Sequence, residues 1–209
     1  KLSSDSFANG FYYKPRMDHE TLDQYSDGII AINGHLGSSI AYHLCNFVDS
    51  GNEDDWNLAL EEAKWHAKTF LPNEQGEPRF YIELQRHDVP EQQAINPYLV
   101  KLAKELGLPI VCDNDAHFLG EDDWDAHDTL CCISMQKQKA DVDRLTYSRE
   151  LYVKSPAQML ELFEDIPEAI ENSVLVARRC NVKLDSSKSH TPVVRVTGPN
   201  THEPYEGGD

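Results

Sequence analysis

Long apolar runs, paired cysteine motifs and an excess of basic residues are all missing from this chain of 209 residues. Because no apolar stretch approaches the ~20 residues that span a bilayer, the sequence predicts no membrane helix, and no signal peptide precedes the predicted domain. The five cysteines are an odd number without a CxxC spacing, which favours reduced thiols in a cytoplasmic protein over a disulfide framework. A glycine-rich phosphate loop, a GxSxG motif and internal repeats are also missing.

Basic residues are scarce relative to acidic ones. The chain has 19 Lys and Arg against 36 Asp and Glu, which gives a formal net charge of -17. Affinity for a phosphate backbone comes from Lys and Arg that displace counterions, so this surface is not expected to grip DNA itself. The charge is compatible with cation binding or with docking onto a basic partner.

Strand and helix patterns alternate along the chain, with connections long enough for parallel pairing. This alternation predicts an α/β fold. The predicted strands are 28–33, 80–85, 108–112 and a short 150–154. The predicted helices are 18–25, 40–48, 55–70, 90–106, 121–132, 155–163 and 167–179.

The central feature is the buried strand 108–112, which is followed by Asp115 and His117. Residues two apart on an extended chain point the same way, so the two side chains can share one face beyond the strand's carboxyl end. A carboxylate and an imidazole in that arrangement form half of a divalent metal site. The alternative is that Asp115 caps the next helix and His117 is an ordinary loop histidine.

Two other predicted strands also end in candidate ligands. His35 follows the first strand between two glycines, and Glu83 and His87 lie at the end of the second. Because the carboxyl ends of parallel strands hold the chemistry of α/β folds, this convergence predicts a metal-dependent hydrolase of barrel type. A lone histidine such as His35 is more often structural, and only its position favours a ligand role.

Four further features have less specific interpretations. The aromatic patch at residues 7–16 is expected to be a packing segment. Residues 136–148 are polar, lack periodicity and predict a loop. His127 lies inside a predicted helix and is compatible with a core, supporting or partner-facing position. The tail, 186–209, is rich in Pro, Gly, Thr and Ser and is expected to be a poorly ordered linker.

Six motifs in a fixed order resemble those of one protein family. They are Phe11-Tyr12-Tyr13-Lys14-Pro15-Arg16, Gly34-His35-Leu36-Gly37, Glu83-Leu84-Gln85-Arg86-His87, Asn114-Asp115-Ala116-His117-Phe118, Ala126-His127-Asp128, and Glu168-Ala169-Ile170-Glu171-Asn172 followed by Ala177-Arg178-Arg179-Cys180-Asn181-Val182. Together they resemble the PHP (polymerase and histidinol phosphatase) domain of bacterial DNA polymerase III alpha subunits.

The resemblance implies a fold and its limits. Residues 1–185 would be the carboxyl-terminal part of a distorted (β/α) barrel of PHP type, incomplete because its early strands would precede Lys1. Residues 186–209 would lead toward the polymerase palm. The family's early ligands, including an opening His-x-His, would also precede the chain, and its polymerase aspartates are absent. This fragment by itself is therefore expected to be inactive.

The resemblance also implies site residues and cofactors. Asp115 and His117 match the last Asp-x-His of the family's metal cluster, and His35 stands where the family usually has Cys. Imidazole and thiolate both bind zinc-like ions, so that replacement keeps a ligand. His87 would orient the substrate or the metal. The expected ions are zinc or manganese, with magnesium serving the parent polymerase.

Three functions remain open from the resemblance. The parent domain would hydrolyse phosphate esters, as a 3′–5′ proofreading exonuclease or a pyrophosphatase. It would otherwise be a structural module that braces the polymerase and binds a separate proofreading exonuclease. A free-standing PHP phosphatase, such as histidinol phosphatase, is the third possibility, with amidohydrolase barrels more distant. DNA would be reached through the parent protein, and the open sheet edges of the fragment predict a dimer.

Overall fold

The computed structural model of the protein describes residues 1–187. Residues 1–179 form one compact unit, and the described residues 180–187 lie outside it. The predicted linker, 186–209, lies outside the described residues except for its first two positions. All five cysteines are free thiols. None of the helices within residues 1–187 is long and apolar enough to cross a membrane.

Eight helices and five strands occur in the described residues, together with one short 3₁₀ turn at Glu121–Asp123. The helices are α1 (Leu2–Ala8), α2 (His19–Gln24), α3 (Ser39–Ser50), α4 (Glu53–Thr69), α5 (Pro90–Leu106), α6 (Trp124–Met135), α7 (Pro156–Leu162) and α8 (Pro167–Arg179). The strands are β1 (Phe11–Tyr12), β2 (Lys14–Pro15), β3 (Ala31–Ile32), β4 (Phe80–Gln85) and β5 (Ile110–Asp113).

A three-stranded parallel sheet in the order β3-β4-β5 lies at the centre of the larger unit. This sheet and the helices between its strands confirm the predicted α/β class. The first strand is much shorter than the predicted 28–33, because only Ala31 and Ile32 pair with β4. The predicted strand 150–154 is reduced to a single parallel bridge between Phe118 and Tyr152.

The central strand β4 is buried along its whole length. Phe80, Ile82 and Leu84 belong to the hydrophobic core, together with residues of α3, α4 and α5. Side chains alternate across a strand, so the intervening Tyr81, Glu83 and Gln85 face the other way. One side of the sheet is therefore an apolar core and the other is a buried polar face.

The main helices begin and end at the residues that favour such ends. Asn52 caps α4 through a bond to the Asp54 amide, and three acidic residues occupy its first turn. Proline opens α5, and Gly107 ends it in the left-handed conformation. Ser155 and Gln158 form a reciprocal capping box on α7. Residues at the helix ends therefore determine where the helices that connect the strands begin and end.

The prediction that the aromatic patch is a packing segment is wrong, because its four rings are exposed. The patch forms the β1–β2 hairpin, and the rings of Phe7, Phe11, Tyr12 and Tyr13 are all exposed. Tyr13 occupies the turn with a φ of 59° and has 83% of its surface exposed. A two-residue strand pair has no second layer to cover its rings, so they contact one another and solvent.

Side chains of α8 cover the outer edge of β5. The Asn172 amide donates to the carbonyl of Ile110 at 2.7 Å, and the Ser173 hydroxyl donates to the carbonyl of Cys112 at 3.0 Å. Two carbonyls of this edge are thus bonded within the chain, which leaves less of the edge open to pairing with another copy. The predicted dimer stays a prediction, which sedimentation tests.

We expect Asn172→Ala to lower the free energy of unfolding by about 1–2 kcal/mol, because the Ile110 carbonyl would lose its partner. Urea denaturation of the isolated chain measures this. The matched control is Glu171→Ala, which changes an exposed neighbour on the same helix and should stay within about 0.5 kcal/mol of the unaltered chain. Equal effects of the two substitutions would contradict the edge-covering role.

Candidate functional site

A cavity of about 510 Å³ lies beyond the carboxyl ends of β4 and β5. His35, His87, Asp115 and His117 line it, whereas the fifth candidate, Glu83, does not. The full lining is His35, Leu36, Gln85, His87, Val89, Asp115, His117, Leu145, Thr146, Tyr147, Ser148 and Leu151. The chain thus brings side chains from three strand ends and one distant loop to the same space.

Asp115 and His117 form the best-defined pair of the cavity. The His117 Nε2 atom lies 3.4 Å from the Asp115 Oδ2 atom, and both side chains are partly exposed. Asp115 has a φ of 47°, a left-handed conformation that residues other than glycine rarely adopt. A bond from its amide to the Asp113 carboxylate holds this conformation. Strained backbone of this kind is concentrated at functional sites.

Asn114 fixes the loop that carries this pair. Its side-chain amide donates to the carbonyls of Glu150 and Tyr152, at 3.0 and 2.8 Å. The amide of His117 also donates to the carbonyl of Leu151 at 2.7 Å. These three bonds fasten the segment after β5 to residues 150–152. Asn114 therefore positions the candidate ligands although it does not itself line the cavity.

His35 is held by the tight turn that the flanking glycines allow. Gly34 has a φ of +74°, and a Cβ atom on Gly37 would lie 2.8 Å from the His35 ring. The Gly37 amide donates to the His35 Nδ1 atom at 2.9 Å. A neutral imidazole that accepts at Nδ1 carries its proton on Nε2. Metal binding through Nε2 therefore requires this ring to give up its bond to Gly37.

Buried polar residues of β4 continue into the cavity. The Gln85 side-chain nitrogen donates to the Glu83 carboxylate, and the Gln85 oxygen lies 2.8 Å from the His87 Nε2 atom. The Nδ1 atom of His87 is buried and has no hydrogen-bond partner among the residues that the structure describes. Burial lowers the pKa of His87, which favours its neutral form.

Three carboxylates accumulate at this edge of the sheet. Burial, with the charges of Asp113 and Asp115, raises the pKa of Glu83 to about 7 against the hydrogen bonds from Gln85 and Gly34, which lower it. Among the ion pairs of residues 1–187, none joins Glu83, Asp113 or Asp115 to a Lys or Arg. These three carboxylates therefore have no Lys or Arg ion-pair partner among the described residues.

The predicted loop 136–148 forms one wall of the cavity. Arg144 makes a two-pronged ion pair with Asp128 of α6, and the Trp124 indole donates to the Tyr147 carbonyl at 2.8 Å. The Tyr147 ring lies 4.4 Å from the His117 ring, centroid to centroid. His127, left open by the sequence, also contacts the rings of His117 and Tyr147. His127 therefore packs against two rings that line the cavity.

The donor types suit a zinc-like or manganese ion, since they are imidazole nitrogens and a carboxylate. Within residues 1–187, however, no three His, Cys, Asp or Glu side chains are grouped closely enough to hold a metal. The fit is therefore partial: Asp115 and His117 are paired, while His35 bonds to its own turn. The ligand roles of His35, Asp115 and His117 stay predictions.

A larger groove of about 720 Å³ lies on the other side of β4, between α5 and the region of α7. Its most polar group, Arg86, is already paired with Asp165 through two bonds, at 2.6 and 2.9 Å, and also donates to the Leu162 carbonyl. These contacts join β4 to the α7–α8 connection. We interpret this groove as a contact region between packed elements, and we assign the candidate functional site to the smaller cavity.

Sequence reasoning missed several residues of the site. Gln85, Asn114, Tyr147 and Ser148 line or support the cavity, yet none was a candidate. The alternation of polar with apolar residues along 80–87 was the available signal for Gln85. The loop residues carry no periodic pattern and are placed by the Arg144–Asp128 pair, which links positions 16 residues apart.

The raised pKa of Glu83 predicts a pH-dependent stability. In the folded chain the pKa of Glu83 is about 7, against 4.5 in its unperturbed state. Ionisation of Glu83 therefore lowers the free energy of unfolding as the pH rises from 4.5 to 7, and the loss is complete above pH 7. Glu83→Gln should raise the free energy of unfolding by about 1–3 kcal/mol above pH 7, and by nothing below about pH 4.5.

Denaturation with a chelator present, at pH 4.5 and pH 8, measures this difference. Glu171→Gln, on an exposed face of α8, is the control and should show no pH-dependent gain. A Glu83→Gln variant that is less stable at both values would contradict the assignment of Glu83 as a strained buried acid.

Comparison with known proteins identifies the family. A model of the PHP domain matches residues 1–87. The DNA polymerase III alpha subunit of Campylobacter jejuni is 36% identical over 200 residues, which are 94% of this chain and 16% of that protein. That of Borreliella burgdorferi is 39% identical over 184 residues, 87% of this chain and 15% of that protein.

The subunit of Treponema pallidum is 34% identical over 196 residues, 93% of this chain and 16% of that protein. The chain therefore spans about one sixth of the length of these relatives. The likeness covers β4, β5 and the loops that carry all four candidate residues, with the PHP match ending at His87. The chain belongs to the PHP domain family, in the form that is similar to DNA polymerase III alpha subunits.

Proposed function

We propose that this chain contributes a metal-dependent phosphoesterase site to a replicative DNA polymerase III alpha subunit. The observation that carries the proposal is the cavity at the carboxyl edge of the parallel sheet, which His35, His87, Asp115 and His117 all line. In barrel folds that edge is where catalytic groups lie. The three strands would then be one arc of the PHP-type barrel, whose closure stays part of the proposal.

The ligands would be His35, Asp115 and His117, with His87 beside them, and the ion would be zinc or manganese. When bound, a divalent ion lowers the pKa of a water ligand and offsets charge on the transferred phosphoryl group. The carboxylates at this edge have no Lys or Arg partner among the described residues, which supports a cation in the cavity. The substrate would be the 3′ end of DNA or pyrophosphate, and the parent polymerase would use magnesium separately.

We expect Asp115→Asn and His117→Ala each to weaken zinc or manganese binding by about tenfold or more, because each removes a ligand. Equilibrium dialysis of the untagged chain measures this. His19→Ala is the control, since His19 stacks on Trp65 away from the cavity. The full-length protein then serves for 3′–5′ exonuclease and pyrophosphatase assays. Unchanged metal affinity in both variants would contradict the ligand roles.

A second function is favoured by the exposed aromatic hairpin. Phe7, Phe11, Tyr12 and Tyr13 form an uncovered cluster, and the Arg16 guanidinium lies 5.0 Å from the centre of the Tyr12 ring. Exposed aromatic clusters with a basic rim are typical of interaction surfaces. The hairpin supports a bracing role in which the rest of the polymerase chain, or a proofreading exonuclease subunit, covers these rings.

The bracing role predicts different effects in the fragment and in the whole protein. Replacing Tyr12 and Tyr13 by Ser should leave the melting temperature of the isolated chain unchanged and lower that of the full-length protein by about 2–4 °C. Val142→Ser, at a fully exposed loop position, is the control. Equal melting temperatures of the altered and unaltered full-length proteins would contradict coverage of the hairpin within the polymerase.

A further inference from the structure

The two walls of the candidate cavity differ in chemistry. The strand ends contribute imidazole and carboxylate groups, which are the proposed ligands. The opposite wall comes from the loop after α6 and bears apolar and hydroxyl side chains: Leu145, Thr146, Tyr147, Ser148 and Leu151. Among the described residues that line the cavity, none is Lys or Arg. The loop wall is therefore uncharged, and it faces the place where the chemistry is proposed.

Tyr147 is the aromatic residue of the loop wall. Its ring lies 4.4 Å from the His117 ring, centroid to centroid, with a tilt of 37°. The side chain is half-buried and lines the cavity. A flat aromatic surface therefore lies directly beside the Asp115–His117 pair, at which a phosphoryl group would be held.

The position of Tyr147 is fixed by contacts that do not involve its own ring. The Trp124 indole donates to the Tyr147 carbonyl at 2.8 Å. Arg144 pairs with Asp128 through two bonds, and the two side chains are only 9% and 4% exposed. The Arg149 guanidinium also lies 3.9 Å from the centre of the Trp124 ring. A ring that is already held in place loses little freedom when a ligand binds, which favours affinity.

The size and charge of the cavity favour a nucleotide over pyrophosphate. Its volume of about 510 Å³ is in the usual range of ~300–1,000 Å³ for pockets that hold organic ligands. Pyrophosphate is small and highly charged, and here it would meet an apolar wall and no Lys or Arg. A phosphodiester carries a single charge together with a sugar and a base.

Ser148 offers a neutral donor that suits such a phosphodiester. The Glu150 amide donates to the Ser148 Oγ atom at 3.0 Å. The hydroxyl proton of Ser148 is therefore left to donate to a phosphate oxygen in the cavity that this residue lines. The loop wall thus has a donor for the phosphate and, next to it, a ring for a base.

We propose that Tyr147 is a specificity-determining residue, whose ring stacks on the base of a nucleotide while the phosphodiester of that nucleotide lies at the Asp115–His117 pair. Stacking on an aromatic ring is tolerant of sequence, because every base has a flat π-face. Tyr147 therefore selects for the presence of a base and not for its identity. The inference rests on the proposed function for the reaction, and it narrows the two proposed substrates to the DNA end.

Nuclear magnetic resonance of the metal-free chain, labelled with ¹³C-tyrosine and ¹⁵N, tests the stacking directly. The probe is thymidine, which has a base and no phosphate. The matched probes are 2-deoxyribose, which has no base, and inorganic pyrophosphate. The Tyr147 ring signal is the one that Tyr147→Phe removes. We expect thymidine to shift this signal and the His117 amide signal, and the other two probes to leave the Tyr147 ring signal in place.

Three variants separate the ring from the rest of the loop, and the His117 amide signal follows the titration in each. Tyr147→Leu keeps the carbonyl that Trp124 binds and should weaken thymidine binding by about tenfold, because the stacking ring is lost. Tyr147→Phe keeps the ring and should stay within about twofold of the unaltered chain. Tyr42→Leu, at an exposed position of α3, is the control and should bind thymidine unchanged. Circular dichroism verifies that all three are folded.

Three results would each overturn the role of Tyr147. They are equal thymidine affinities of Tyr147→Leu and the unaltered chain, a thymidine shift confined to Tyr12 and Tyr13 of the exposed hairpin, and a pyrophosphate shift of the Tyr147 ring signal as large as that with thymidine. The titration contains no metal, so its failure is distinguishable from failure of the proposed function. A chain that binds thymidine as expected but binds no zinc would contradict the proposed function alone.

Discussion

The alternation of apolar and polar side chains along β4 is the constraint on which the rest of the structure depends. The strand is buried on both faces, yet only Phe80, Ile82 and Leu84 join the hydrophobic core. The opposite face holds Tyr81, Glu83 and Gln85, and buried polar groups are tolerated only when they are bonded. Gln85 and the turn at Gly34 donate to the Glu83 carboxylate, and the Asn33 side chain accepts from the Glu83 backbone amide, so the polar face is fixed around Glu83.

Charge at the carboxyl edge of the sheet follows from this arrangement. In the parallel register Gln85 is aligned with Asp113, so the polar face of β4 continues onto β5 and toward Asp115. Burial and the charges of Asp113 and Asp115 raise the pKa of Glu83, and His87 brings to the same cavity a nitrogen without a hydrogen-bond partner among the described residues. Carboxylates gathered at one edge of a sheet destabilise the protein when no cation is bound, and a bound cation makes the arrangement favourable. The same residues therefore determine the stability of this edge and form the proposed cation site.

Much of the fold could be predicted from the sequence, and the reasons are local. Helix caps and stops at Asn52, Pro90 and Gly107 and the apolar periods of β4 and β5 are signals within a few residues. The site could be predicted only in part. His35, Asp115 and His117 follow strand ends, whereas Tyr147 reaches the cavity through the distant Asp128–Arg144 pair. The exposure of the aromatic hairpin could not be predicted, because the number of aromatic residues does not reveal whether other elements cover their rings.

Paramagnetic broadening by Mn²⁺ tests most directly whether the carboxyl edge of this sheet is a cation site. Substoichiometric Mn²⁺ is added to the ¹⁵N-labelled chain, and the loss of amide signals is recorded by residue. We expect the amide signals of His35, His87, Asp115 and His117 to disappear first. The acidic segment 49–55, which has a similar density of carboxylates and does not line the candidate cavity, should be affected only at higher concentration. Broadening that begins at 49–55, or spreads evenly over the acidic surface, would contradict the account.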